Sequence, residues 1–237
     1  MNILTLTGVR GGGGTTTVTG MLGDALHGLD QRVLLVDLNA SDLLRLHFDV
    51  PHRDGHGWVA AEFPADWREQ AFDLAPGLVL VPFGRTAIED AGISHLLHGD
   101  DFWVRALPGL ARDFDWVLFD CPAYPNQQTP TLRFHSTLDI LVAQPDIAAH
   151  VLLAQIGFEA TSHLLVNGYD PAWALERDVI QDWRQHYGAR VLSQIIVRDE
   201  RLHEALACKQ PVTRFRPDTA SSQAARSVAQ WCLSTAG

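Results

Sequence analysis

Seven short runs of largely apolar residues punctuate the chain, at about Ile3–Thr7, Arg32–Asp37, Leu78–Pro82, Trp116–Asp120, Ile140–Ala143, Leu164–Asn167 and Val191–Ile196. They are near-continuous rather than strictly alternating, which is the pattern of strands covered on both faces of a parallel sheet. Between them lie stretches with helical spacing. One starts at Thr15 and keeps Val18, Met21, Leu22 and Ala25 on one stripe; others are Ile147–Phe158 and Ser221–Trp231. Strand and helix in alternation require crossover connections, so the expected architecture is a doubly wound, mostly parallel, seven-stranded α/β sheet. At 237 residues, with 46% apolar and 19% charged residues, residues 1–237 are expected to form one domain with a sizeable core.

Behind the first run comes Gly11-Gly12-Gly13-Gly14-Thr15-Thr16-Thr17. A strand, a turn without side chains and a helix start together aim several backbone N–H groups at one anion, and the helix N-terminus adds about half a positive charge. Four glycines carry a heavy folding-entropy cost, which backbone lying against a pyrophosphate explains better than a plain turn does. The usual phosphate loop reads G-x-x-x-x-G-K-[ST]. In that register Val9 replaces the first glycine and Thr15 the lysine, so the loop is free of lysine. Thr16 takes the place of the Mg²⁺-binding hydroxyl, Thr15 can donate one hydrogen bond, and Arg10 can bring a guanidinium to the terminal phosphates in its own subunit or a facing one.

Two carboxylates fall at strand ends. Asp37 closes Val33-Leu34-Leu35-Val36; it suits orientation of an attacking water or reach to a metal through water, and equally a cap on the following helix. Asp120 closes Trp116–Phe119 before Cys121-Pro122 and suits a second carboxylate over Mg²⁺. Ligands of open α/β sheets bind beyond such carboxyl ends. Asn39, two residues past Asp37, cannot act as a general base. Asp42 reads as the N-cap of a helix over Leu43–Phe48, Cys121 as a packed small side chain, and Asn167 as an amide able to read a purine edge.

Net charge is −10, and the 18 basic residues are scattered singly, so binding along a nucleic-acid backbone is not expected. Three widely spaced cysteines, Cys121, Cys208 and Cys232, suit a reducing compartment without disulfides. No secretory leader or run of about 18 apolar residues is read, so a cytoplasmic protein is expected. The spacings His52/His56 and His95/His98 lack a convincing third metal ligand, and Gly55 and Gly57 break any helix through the first pair.

The loop, Asp37, Asp120-Cys121-Pro122 and Asn167 together resemble the deviant-loop P-loop ATPases of the MinD/ParA class, whose two loop lysines correspond in position to Arg10 and Thr15. Gly8-Val9-Arg10-Gly11-Gly12-Gly13-Gly14-Thr15-Thr16-Thr17 is similar to the loop of the BcsQ family of cellulose-biosynthesis proteins, in which arginine and threonine also stand at the lysine positions. Leu43-Leu44-Arg45-Leu46, Leu80–Gly84, Arg198-Asp199-Glu200, Lys209–Val212 and Trp231-Cys232-Leu233 extend the likeness in order. The resemblance implies an ATP–Mg²⁺-binding homodimer holding two nucleotides between facing subunits, with Arg10 reaching across. It implies Thr16 and Asp120 on the metal, the amides of the loop on the phosphates, and Asn167 on the adenine. It also implies service to the bacterial cellulose synthase and secretion machinery at the cytoplasmic side of the inner membrane. Asn39 stands where hydrolysing relatives keep an aspartate, and Gly13 replaces a valine, so slow or absent hydrolysis is expected. A partition-type ATPase acting on nucleoid-associated cargo is the alternative, and an iron–sulfur dimer built on Cys121 a third.

Overall fold

In the computed structural model, residues 1–60, 66–85, 94–124 and 130–237 are described, with side chains from 67 and from 102 in the second and third segments. The described residues form one eight-stranded sheet. Its strands are β1 (Asn2–Gly8), β2 (Val33–Asp37), β3 (Phe72–Ala75), β4 (Leu78–Val81), β5 (Trp116–Cys121), β6 (Leu138–Ala143), β7 (Ser162–Tyr169) and β8 (Val191–Val197). Their spatial order is β3-β4-β2-β5-β1-β6-β7-β8. All pairs are parallel except β3–β4. The seven expected strands are all present. The eighth, β3, is an antiparallel edge strand formed by a hairpin through Pro76-Gly77, where Gly77 takes φ 83. It escaped the apolar pattern because an edge strand needs no continuous apolar run: none of its residues is fully buried, and Asp73 is exposed.

Period-2 alternation splits the core into layers. Leu4 and Leu6 of β1, Val33 and Leu35 of β2, and Trp116 and Leu118 of β5 face α1 (Thr15–His27) and the C-terminal helix α8 (Ala220–Ala236). Ile3, Leu34, Val36, Val117 and Phe119 point the other way, into a cluster with Trp58, Trp67 and Trp103, the last from α2 (Ser94–Leu110). Farther along that second face, Leu141, Leu164 and Val166 meet α4 (Ile147–Leu153) and α5 (Ala174–Tyr187). The short helices α3 (Pro130–His135), α6 (Arg201–Ala207) and α7 (Val212–Phe215) complete the layers. Helices on both faces confirm the doubly wound expectation. The helix expected over Ile147–Phe158 ends at Leu153, and that over Ser221–Trp231 runs on to Ala236. Of the turn-rich stretch Pro122–Pro130, residues 125–129 lie outside the described residues.

A buried ion pair lies under the β2–β3 connection. Arg45 Nε is 2.9 Å from Asp42 Oδ2, and both side chains are shut off from water. The Arg45 guanidinium also donates to the carbonyls of Pro51, Asp54 and His56, so its charge is shared among fixed oxygens. Asp42 therefore does not cap the turn Leu44–Phe48, which is a 3₁₀ helix; its backbone is left-handed at φ 55, and its side chain turns to Arg45 instead.

Candidate functional site

The loop between β1 and α1 is fixed where it leaves the strand and is without side chains from Gly11 to Gly14. Val9 N donates to Val142 O of β6 at 2.9 Å, and Tyr124 N donates to Gly8 O at 2.8 Å. Gly12 and Gly14 have φ of 76 and 83, which disfavours any side chain. A Cβ at Gly14 would stand 2.5 Å from Asn167 Nδ2, and one at Gly8 would stand 2.7 Å from Thr15 Oγ1. Gly11 is different. A Cβ there would meet no atom of the protein within 4 Å, so nothing in the fold itself excludes a side chain. Its bareness leaves room for something that approaches the backbone from outside.

Below the loop, strand register brings the two carboxylates together. β2 and β5 are neighbours, and Asp37 pairs with Asp120. Both are fully buried. Thr16 Oγ1 donates to Asp120 Oδ2 at 2.7 Å, and Thr19 Oγ1 lies 3.4 Å from Oδ1. Burial pushes the Asp120 carboxyl up to about 7 against the hydrogen bond from Thr16. Burial, then the charge of Asp120, push Asp37 well above the ordinary carboxylate range, opposed by the N–H groups of Asn39 and Leu44. Two adjacent carboxylates and a hydroxyl, with no arginine or lysine among their hydrogen-bond partners in the described residues, form an oxygen donor set that suits a hard divalent cation. The chemistry of these residues therefore fits a cation such as Mg²⁺, with the Thr16 hydroxyl and the Asp120 carboxylate adjacent and Asp37 beside them.

Both oxygens of Asp37 accept backbone hydrogen bonds, from Asn39 N at 2.8 Å and Leu44 N at 3.0 Å. The alternative capping role is thus realised in this state, by Asp37 rather than Asp42. Asn39 also donates from Nδ2 to Asp120 O at 3.1 Å, which stitches the ends of β2 and β5 together. Trp58 Nε1 donates to Asp37 O at 2.8 Å and seals the site from below.

Arg10 folds back onto the loop and onto the residues that follow β6. Its guanidinium donates to Gln144 Oε1 at 2.8 Å and forms an ion pair with Asp146, while Nη1 donates to Gly11 O at 3.0 Å. Asp146 also caps α4, accepting from Ala149 N at 2.8 Å. Burial would raise its pKa, but Arg10 and the helix N–H groups hold the carboxyl below its usual range. Gln144 and Asp146 were missed in the sequence, although Asp146 carried a signal, an acidic residue directly before a helical run. Asn167 is buried and its Nδ2 donates to Gly13 O at 2.8 Å, so it props the loop from beneath. Thr15 is buried at the helix start, and its carbonyl accepts from Thr19 Oγ1. Thr17 is half-buried and makes no side-chain hydrogen bond among the described residues. Cys121 is buried, as expected of a packed side chain. Cys208 is exposed, and Cys232 is on the buried face of α8. No group of three or more His, Cys, Asp or Glu able to hold a metal occurs among the described residues, and the side chains of His95 and His98 lie outside them.

The parallel sheet, the glycine loop leading into α1 and the paired carboxylates define a P-loop protein of the MinD/ParA type. The solved structures it is similar to agree: MinD within a MinC:MinD complex from Aquifex aeolicus superposes with a TM-score of 0.79 at 17% identity, covering 99% of this chain and 96% of that one. A ParA family ATPase from Chlorobium tepidum gives 0.76 at 17% identity over 97% and 98%. At the level of sequence, the family model for cellulose biosynthesis protein BcsQ matches residues 1–233. The chain is 33% identical to the BcsQ of Escherichia coli K12 over 98% of its own length and 94% of the relative's. It is 32% identical to that of Salmonella typhi over 98% and 94%. This chain belongs to the BcsQ family of cellulose biosynthesis proteins. Among the described residues no helix is long and apolar enough to cross a membrane.

Proposed function

We propose that this chain binds ATP with Mg²⁺ in the β1–α1 loop, dimerises across the nucleotide, hydrolyses it slowly or not at all, and serves as a nucleotide-dependent scaffold for assembly, localisation or secretion by the bacterial cellulose synthase machinery. The observation that carries the reading is the pair of buried carboxylates, Asp37 and Asp120, set at the strand ends beside a glycine loop whose Gly11 has no described protein atom near its Cβ position. The amides of Gly11 to Thr17 would take the phosphates. Thr16 and Asp120 would hold Mg²⁺, which neutralises charge on the phosphate oxygens when bound. Relatives in fold support this ligand: MinD from Pyrococcus horikoshii is complexed with Mg-ADP, and a cobyrinic acid a,c-diamide synthase from Mycobacterium smegmatis holds an ATP analog and magnesium. Family membership supports the cellulose role, with docking at the inner membrane supplied by partners rather than by the chain.

Slow turnover is supported by Asn39. Its amide cannot accept a proton from water, and Asp37 has both oxygens committed to backbone N–H groups. Arg10, once released from Asp146, would supply the cation that the loop lacks, within its own subunit or across the dimer. Asn167 retains its carbonyl oxygen and a second N–H for an adenine edge. Calorimetric titration with ATP and Mg²⁺ tests the reading. Wild type is expected to bind, Thr16→Ala to lose the magnesium-dependent part, and Arg10→Ala to bind yet remain monomeric by light scattering. Absence of heat with wild type refutes it.

The second reading, a partition-type ATPase, is favoured by 25% identity to ParA of Caulobacter vibrioides over 99% of this chain. Net charge of −10 opposes it. ATP-dependent retention of DNA in a low-salt gel shift would establish it over the first.

A further inference from the structure

The chain has seven tryptophans. Five are shut in the core at 3% exposure or less, and Trp231 is half-buried. Trp173 is 54% exposed. It lies on the turn between β7 and α5, and the fold places that turn at the carboxyl ends of the strands. Tyr169, the last residue of β7, pairs with Val197, the last of β8, and accepts from Arg198 N at 2.8 Å. Asn167, two residues earlier on β7, touches the phosphate loop through Gly13. In the sheet order β7 is two strands from β1, so its end lies about 10 Å from the loop at the usual strand spacing. That span is comparable with the stretch from the phosphates of a nucleotide to its base.

The turn that carries the indole is held by its backbone, and the ring lies against Arg198. Trp173 N donates to Asp170 O at 3.1 Å, and Asp170 N donates to Glu176 Oε2 at 2.7 Å. Glu176 is buried, and its Oε1 lies 3.5 Å from Arg198 Nη2. The Arg198 guanidinium carbon in turn stands 5.0 Å from the centre of the Trp173 ring. An aromatic ring on a fixed turn, beside a cation and open to solvent at the ligand end of the sheet, is what a nucleobase stacks on.

We propose that Trp173 is the stacking platform for the purine base, backed by Arg198, while Asn167 meets the edge of the base; the proposal rests on the nucleotide-binding reading above. Titrations of wild type, Trp173→Ala and Trp173→Phe with ATP–Mg²⁺ and with inorganic tripolyphosphate–Mg²⁺ test it. Trp173→Ala is expected to weaken ATP binding about tenfold or more and to leave tripolyphosphate unchanged, with Trp173→Phe close to wild type. Unchanged ATP affinity in Trp173→Ala overturns the platform. So does equal weakening of both ligands, or a Phe variant no better than the Ala variant. Wild type that binds tripolyphosphate but not ATP also overturns the platform and leaves the phosphate loop standing, whereas wild type that binds neither overturns both. Thermal melts of the variants confirm that the fold is intact.

Discussion

Asp120→Asn separates the two roles of the buried carboxylate pair, because it keeps the shape of the side chain and removes one charge. In the ligand-free protein, burial holds the Asp120 carboxyl at about 7. The unfolded chain titrates it near 3.9. The folded state therefore binds more protons than the unfolded state between these values, and stability falls as pH rises through that window. The contribution is fully present below about pH 4 and lost above about pH 7. A rise of about three pH units at about 1.4 kcal/mol each amounts to about 4 kcal/mol lost by pH 8. The asparagine has no such loss, and its NH₂ can donate to the hydroxyl oxygens of Thr16 and Thr19, which now bond to the carboxylate. Imperfect geometry there offsets roughly half the gain, so a net stabilisation of about 2 kcal/mol at pH 8 is expected, or about 4–8 °C in thermal midpoint for a domain of this size. At pH 5 the variant and wild type should melt within a degree or two of each other. Scanning fluorimetry from pH 5 to 8 measures the difference directly, and repetition with ATP–Mg²⁺ should reverse the ranking at pH 8, because the variant loses the metal's holder. A variant less stable than wild type by the same amount at both pH values would refute the reasoning, since it would mean that the ligand-free carboxylate is charged and well solvated.

Asn39→Asp places a carboxylate beside Asp37 and Asp120; a positioned general base typically supplies 10²–10⁴ in rate, so a coupled assay should show turnover rising at least about tenfold, and an unchanged rate would refute Asn39 as the reason for the proposed slow turnover. Gly14→Ala forces a left-handed residue with its Cβ 2.5 Å from Asn167 Nδ2, so a stability loss of about 1–2 kcal/mol by urea unfolding and loss of phosphate binding by calorimetry are expected, and wild-type behaviour would show that the loop is not held in this conformation.

Much of the site was legible because its residues announce themselves locally. Gly11 to Thr17 after an apolar run can make few structures other than a bare strand-to-helix turn, and apolar strands ending in Asp37 and Asp120 mark the edge of a parallel sheet where ligands bind. The continuous runs specified seven strands because burial on both faces removes the freedom to alternate. β3 stayed invisible because an edge strand with partial burial has no such pattern. The helix over Ala174–Tyr187 was also missed, although Glu176, Val179, Ile180 and Trp183 are its buried positions: these are separated by charged and amide residues, and one of them is acidic.

The order of the strands in space was decided by tertiary structure alone. Asp37 and Asp120 are 83 positions apart in the chain and become neighbours only because β2 and β5 pair, which depends on how each strand's two faces divide between the helical layers. The resting place of Arg10 was decided in the same way: Gln144 and Asp146 compete for its guanidinium because β6 runs beside β1. Local sequence fixes backbone conformation and burial through sterics and hydrophobic periodicity. Which charges meet depends on long-range packing, since Coulomb and hydrogen-bond partners are chosen by distance in space and not along the chain.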